Sequence, residues 1–246
     1  MKLYGLVGYP LGHSFSAGFF AEKFAREGID ARYLNFEMPD IGDLLELLSE
    51  YPDLEGFNVT IPYKQQILPY LASVSPQAAA IGAVNVVRVE HTPQGPRLHG
   101  YNSDCPGFVR TLAPLLPQEA VSALVLGTGG AARAVMTGLE SLGIDATAVS
   151  RTPAPGRLTY DDLTAEVMAA HRVVVNCTPL GMWPKVETAP PIPYETLTSK
   201  HVCYDVVYNP AETEFMRRAR ANGATVSNGL AMLHLQALLA WQIWNT

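Results

Sequence analysis

The stretch VSALVLGTGGAARAV, residues 121 to 135, constrains the fold more than any other part of the chain. Its apolar, β-branched start reads as a buried strand, and the run then breaks into glycines that open a helical pattern ending near Gly143. Gly127, Gly129 and Ala132 fit the spacing G-x-G-x-x-G/A. The first glycine permits a tight turn, the second lets backbone come close to a ligand, and the small third residue keeps the helix against its strand. A strand followed by a crossover helix needs a parallel neighbour, so this stretch predicts a βαβ layer.

The rest of the chain alternates in the same way. DATAVS, HRVVVNC, HVCYDVV and ATVSNG read as strands separated by helical segments. Upstream, KLYGLVG, ARYLNFE and GFNVTI read as strands, with helical stretches near SAGFFAEKFAREG and DIGDLLELLSEY, and AVNVVRVE follows as a further strand. HTPQGPRLHG, residues 91 to 100, is expected to be a Pro/Gly-rich turn closing the first sheet. The last 17 residues, LAMLHLQALLAWQIWNT, read as an apolar helix whose only charge-capable side chain is His234, which implies that it packs against something. The fold class expected is α/β, with two successive α/β layers making two domains.

Composition narrows the function. With 246 residues, 48% of them hydrophobic, and a formal net charge of −6, the chain has the makeup of a folded globular protein. Its 17 Lys and Arg are scattered, so no basic field exists to hold a polyanion, which argues against nucleic acid. The opening MKLYGLVGYPLGHS is broken too early by Gly and Pro for a signal peptide or membrane span, so a cytoplasmic protein without membrane partners is expected. Cys105, Cys177 and Cys203 form no CxxC pair, and the six histidines show no ligand spacing, so no metal is expected.

The glycine turn and the helix N-terminus behind it suit a pyrophosphate, because the first N–H groups of a helix lack intrahelical partners. An NAD site commonly places an acid about 20 residues beyond the glycines, on the ribose 2′-hydroxyl. Here that strand ends in Ser150, Arg151 and Thr152. A guanidinium between two hydroxyls suits a 2′-phosphate, which predicts NADP rather than NAD.

NVTIPYK, residues 58 to 64, reads as a short strand in which Val59 and Ile61 face a core while Asn58 and Thr60 face the other way. Pro62 ends it, since proline cannot donate to a ladder, and on this segment alone Lys64 could be a solvated charge. Ser14 or Ser16, ahead of an apolar helical run, could equally be an ordinary N-cap.

Several motifs together carry a resemblance. GTGGAARAV, SRT, NCTPLGM at 176 to 182, DVVYNP at 205 to 210 and GLAMLHLQA at 229 to 237 resemble the NADP half of the shikimate and quinate dehydrogenase family. NVTIPYK, GAVNVV at 82 to 87 and GYNSDCPGF resemble its substrate half. The resemblance implies an N-terminal α/β substrate domain, residues 1–101, rejoined by a C-terminal helix at 229–246, and a Rossmann NADP-binding domain over 102–228. It implies Lys64 and Asp104 as the catalytic pair, and Ser14, Ser16, Thr60, Asn85, Tyr208 and Gln236 as substrate-binding residues. It implies Gly127, Gly129, Gly130, Ala131, Ser150, Arg151, Thr152, Thr178, Gly229 and Met232 at the cofactor. The implied activity is NADP-dependent interconversion of shikimate and 3-dehydroshikimate by a monomer or homodimer. A quinate/shikimate dehydrogenase of broader specificity, or a non-catalytic NADP-binding regulator on the same fold, are the alternatives.

The chain departs from the family pattern at Ala17 and Gly18, where proline usually follows the second serine, at Ser103 in place of threonine, and at Ser150 where asparagine usually precedes the arginine. None of these removes a catalytic group.

Overall fold

The computed structural model describes residues 1–12, 15–117 and 122–246. Met1–Ser103 together with Ala237–Thr246 make one compact unit, and Asp104–Gln236 make a second.

In the first unit, β1 (Lys2–Gly8), α1 (Phe15–Glu27), β2 (Ala31–Glu37), α2 (Leu44–Glu50), β3 (Leu54–Val59), β4 (Ser73–Val74), α3 (Pro76–Ile81), β5 (Val86–Thr92) and β6 (Gly95–Tyr101) follow in order. They build a six-stranded sheet in the order β2-β1-β3-β5-β6-β4. β1 lies parallel to both β2 and β3, whereas β5 runs antiparallel to β3 and β6. A near-continuous apolar β1 is what a strand covered on both faces requires. Leu3, Val7, Phe57 and Val87 pack with Leu44, Leu47 and Leu48 on one face. Tyr4, Phe20, Phe24 and Val86 pack with Ala237, Ala240 and Trp244 on the other.

Trp244 seats the C-terminal helix residues of this unit. Its indole N–H donates to the Val87 carbonyl at 2.9 Å, and its ring stacks on Tyr4 with centroids 4.9 Å apart. Gly56 makes room for that ring, since a Cβ there would lie 2.4 Å from Trp244 Cδ1. α3 shows how locally the sequence can specify an element. Ser75 accepts a hydrogen bond from Ala78 N, Pro76 takes the first helical position, and Gly82 closes the helix at φ 67°.

Two expectations for this unit are corrected. HTPQGPRLHG is not merely a turn: β5 runs to Thr92 and β6 starts at Gly95, so it is a hairpin whose second strand pairs with both β5 and β4. Prolines 93 and 96 masked the strand, and both tolerate an edge or a turn. NVTIPYK is strand only through Val59, and Ile61 is 66% exposed while Asn58 is buried. The period-of-two pattern fails there because the chain leaves the sheet before Ile61.

The second unit runs α4 (Asp104–Leu112), β7 (Ser122–Leu126), α5 (Gly130–Ser141), β8 (Asp145–Ser150), β9 (Arg157–Thr159), α6 (Ala165–Ala170), β10 (Val173–Asn176), β11 (Val202–Asp205), α7 (Glu214–Ala221), β12 (Thr225–Ser227) and the start of α8 (Leu230–Trp244). Its sheet order is β12-β11-β10-β7-β8-β9, with every pair parallel. β7 leads outward to β8 and β9, and the chain then returns to β10 on the other side of β7. That reversal is the topological switch of a Rossmann sheet, with helices on both faces.

Candidate active site

In the first unit, the chain leaves the sheet after Gly8 in β1 and Val59 in β3, and enters β5 after Asn85, all at one end. Loops at the carboxyl ends of such parallel strands are where open α/β sheets bind ligands. Thr60 sits there, half-buried, its N–H donating to Val7 O at 2.9 Å. Lys64 follows in a turn pinned on either side by Tyr63 and Ile67, which are 2% and 0% exposed. The Tyr63 hydroxyl donates to Met38 O at 2.5 Å, and Val84 N donates to Lys64 O at 2.7 Å, so the backbone of Lys64 is fixed while its side chain is half-exposed.

A buried polar chain underlies this end of the sheet. Ser16, in the first turn of α1, reaches the Tyr33 phenol. Tyr33 donates to Asn58 Oδ1 at 2.9 Å, and Asn58 Nδ2 donates to Asn85 O at 3.2 Å. Asn85 in turn accepts from Ser103 N at 2.7 Å and donates to Ser103 Oγ at 3.0 Å. Burial pushes the Tyr33 phenol well above its ordinary range, so it stays a neutral donor. Ser16 and Asn85 are thus brought into one network, while Ser14 lies outside the described residues. Tyr33 and Asn58 are members that sequence reasoning missed. The signal available was a polar residue inside an otherwise buried strand.

In the second unit, the glycine turn follows β7. Gly127 has φ +115°, and a Cβ on it would press to 3.3 Å on the Cys177 backbone beyond β10. At Gly129 a Cβ would meet nothing within 4 Å, and no side chain caps α5. The first turn of α5, at Gly130 and Ala131, thus begins with no side-chain cap beside an open Gly129, the arrangement that a pyrophosphate cradle needs. At the end of β8 the Ser150 hydroxyl donates to Thr152 O at 2.5 Å, which turns the chain so that Arg151 and Thr152 are exposed. This donor set fits NADP, since no carboxylate occupies the strand end and a guanidinium does.

Thr178, after β10, is held through Asn176, whose Oδ1 accepts both Thr178 N at 3.0 Å and Thr178 Oγ1 at 2.7 Å. Asp104 is the first residue of α4 and is buried. Gly107 in that helix lets α8 approach, a Cβ there lying 3.3 Å from Met232 O and 3.6 Å from Gln236, so α4 and these two expected ligand residues are packed together. Gly229 has no room for a side chain, a Cβ falling 2.1 Å from Val206 O, and its N–H donates to Val207 O. Tyr208 is half-buried one residue further on, its phenol pushed upward by burial. Among the described residues, no group of three His, Cys, Asp or Glu side chains could hold a metal, and no helix is long and apolar enough to cross a membrane.

A shikimate dehydrogenase of Moorella thermoacetica, named as NADP(+)-dependent, is 39% identical over 98% of this chain and 87% of its own length. The chain belongs to the shikimate dehydrogenase family. The family model of the shikimate dehydrogenase substrate binding domain matches residues 6–87, inside the first unit. A second NADP(+)-dependent relative, from Haloarcula marismortui, is 36% identical over 99% of this chain and 93% of its own. The crystal structure of the Thermus thermophilus shikimate 5-dehydrogenase in complex with NADP(H) and shikimate superposes with a TM-score of 0.86 at 34% identity, covering 99% of this chain and 93% of that one.

Proposed function

We propose that this chain is an NADP-dependent shikimate dehydrogenase, reversibly reducing 3-dehydroshikimate to shikimate in aromatic amino acid biosynthesis, and acting in the cytoplasm as a monomer or homodimer. The observation that carries this reading is near-full-length likeness to relatives named shikimate dehydrogenase (NADP(+)), in a chain that keeps both Lys64 and Asp104.

NADPH, when bound, would supply the hydride for the ketone carbon. Lys64 donates the matching proton to the developing alkoxide and lends it positive charge, and Asp104 orients the amine. In the oxidative direction Lys64 accepts the proton from the hydroxyl. Ser14 and Ser16 bind the substrate carboxylate through their hydroxyls, with Tyr208 adding a contact. Thr60, Asn85 and Gln236 bind ring hydroxyls, for which amide and hydroxyl groups that both donate and accept are suited. Gly127 makes the turn, its own N–H donating to Val149 O at 2.9 Å, so that the backbone N–H groups of Gly129, Gly130 and Ala131 would hold the pyrophosphate, Ser150, Arg151 and Thr152 the 2′-phosphate, and Thr178, Gly229 and Met232 the ribose and nicotinamide.

The deciding experiment follows reduced nicotinamide at about 340 nm while crossing shikimate and quinate with NADP and NAD. The expected outcome is turnover of shikimate with NADP above the other three combinations. Equal kcat/KM for both cofactors, or for both substrates, would move the protein to a broader quinate/shikimate dehydrogenase. Cofactor binding with no turnover would make it a regulator on this fold.

A further inference from the structure

The carboxylate of Asp205 has no place in the reaction just described, yet it is fully buried and accepts three hydrogen bonds. It closes β11 directly across from Asn176, which closes β10. Its Oδ1 accepts Asn176 Nδ2 and Val207 N, each at 3.0 Å, and its Oδ2 accepts Thr213 Oγ1 at 2.5 Å. Each of these donors leads to a different loop. Asn176 carries both bonds to Thr178, and the Thr178 hydroxyl in turn accepts Leu180 N at 3.3 Å. Val207 accepts from Gly229 N at the start of α8. Thr213 caps α7 at Met216 N and also supports the far end of the first loop, since a Cβ on Gly181 would touch it at 3.3 Å.

We propose that Asp205 is a positioning residue that latches the loop after β10 and, through Asn176, sets Thr178 where it meets the cofactor. This rests on the dehydrogenase reading only for what Thr178 touches; the latch itself is a property of the second unit. A buried carboxylate is costly unless donors compensate it, and apolar packing would fill the same space without that cost. Burial does push this carboxyl up to about 6, against the three hydrogen bonds that pull it down. Keeping an acid here makes sense where several backbone segments must be fixed at once, because one carboxylate can accept from all of them.

The test compares Asp205→Ala with Asp205→Asn. Asparagine keeps an oxygen for Asn176 and Val207, and its amide can donate to the Thr213 hydroxyl, so it should stay within about 3-fold of wild type. Alanine takes the acceptor from Val207 N and the Thr213 hydroxyl and leaves Asn176 Nδ2 only its 3.4 Å bond to Leu180 O, and should raise the KM for NADP, and the dissociation constant for NADPH by fluorescence titration, by about 10-fold or more. Its kcat at saturating cofactor should fall less than that. Thr178→Ala should reproduce the rise, and the double variant Asp205→Ala/Thr178→Ala should be no worse than the larger single one, because the two act in series. In the ligand-free protein, amide exchange over 176–181 should quicken in Asp205→Ala and not in Asp205→Asn, a readout that needs no turnover. Should Asp205→Ala fail to fold, Asn176→Ala cuts the same link one step later and should give the same exchange and NADPH affinity changes. Lower thermal stability with unchanged NADPH affinity, additive effects of the two substitutions, or an asparagine variant as impaired as alanine would each overturn the latch. Wild-type protein that binds NADPH without oxidising shikimate would instead overturn the reaction, leaving exchange and affinity to decide the latch.

Discussion

The two units build their candidate ligand surfaces from different materials. The first uses side chains: Ser16, Tyr33, Asn58, Asn85 and Ser103 form one buried hydrogen-bonded chain beneath Thr60 and Lys64. The second uses backbone: Gly127 turns the chain, Gly129 leaves its surroundings open, and the uncapped start of α5 presents N–H groups. Recognition by side chains that also tie strands together makes binding and stability one property. Recognition by backbone and one exposed arginine keeps them apart. Substitutions in the two units should therefore differ in kind as well as in size.

The largest expected effect is at Lys64. Its backbone is fixed by Tyr63, Ile67 and Val84 while its side chain is not part of the core, so Lys64→Ala should spare the fold. If Lys64 were only a surface charge, the substitution should change stability by less than about 0.5 kcal/mol and leave the rate alone. If the side chain is the proton donor, kcat should fall roughly 10²- to 10⁴-fold, with a smaller change in KM. Near wild-type turnover would remove Lys64 from the reaction and leave it a solvated charge.

Next in size is Arg151, the charged side chain at the β8 end of the backbone-built site. It is exposed, and Arg151→Ala should leave the melting temperature alone. A charge-assisted contact with the 2′-phosphate is worth about 1.5–3 kcal/mol, so NADP affinity should drop about 10- to 150-fold while NAD barely changes. Raising the salt should shrink the preference, because exposed charges are screened first. A preference for NADP that survives the substitution would assign the selectivity elsewhere in the loop.

Gly129→Ala tests the cradle with the smallest possible side chain. The backbone there is extended, at φ −77° and ψ −173°, and a Cβ meets nothing within 4 Å, so the folded protein should accept alanine without strain. The added methyl would stand where the pyrophosphate must approach, and overpacking of a close contact costs about 1–3 kcal/mol, or roughly 5- to 150-fold in NADP affinity. An unchanged affinity for NADP would mean that the phosphates pass elsewhere.

The same difference in materials decides what could be read from the sequence. The glycine turn, the Ser150–Arg151–Thr152 strand end and every strand of the second sheet but β9 stand in contiguous, patterned segments, because backbone recognition needs particular small residues in a row. β9 is only three residues long, too short to show a period. The first site is scattered from Ser16 to Ser103, and its motif-bearing residues, Thr60 and Lys64 in NVTIPYK, Asn85 in GAVNVV and Ser103 in GYNSDCPGF, lie in separate segments. Tyr33 reads as an ordinary strand aromatic and Asn58 as a residue turned away from the core, since nothing local says that β1 to β3 will bring them together. Asp205 and Asn176 left a fainter trace, each a polar residue ending an apolar strand, VCYD and VVVN, and only the register of β10 on β11 shows that they meet.

Asn85→Ala, the mildest of these changes for turnover, should expose the coupling most directly. Asn85 accepts from Ser103 N at 2.7 Å, and Ser103 is fully buried, so alanine would strand a donor that water cannot reach. An unsatisfied buried group costs about 1–3 kcal/mol, which for a protein of this size lowers the melting temperature by roughly 2–12 °C. If Asn85 also binds a ring hydroxyl, the KM for shikimate should rise by only the worth of one neutral hydrogen bond, about 2- to 12-fold, with NADP affinity unaltered. Asn85→Asp separates the two roles, because a carboxylate can still accept from Ser103 N but cannot donate. Melting temperature recovered with KM still raised would show that the amide serves the substrate as well as the sheet. If both recover together, the side chain is a strut for the chain segment carrying Ser103, and the substrate is held by its neighbours.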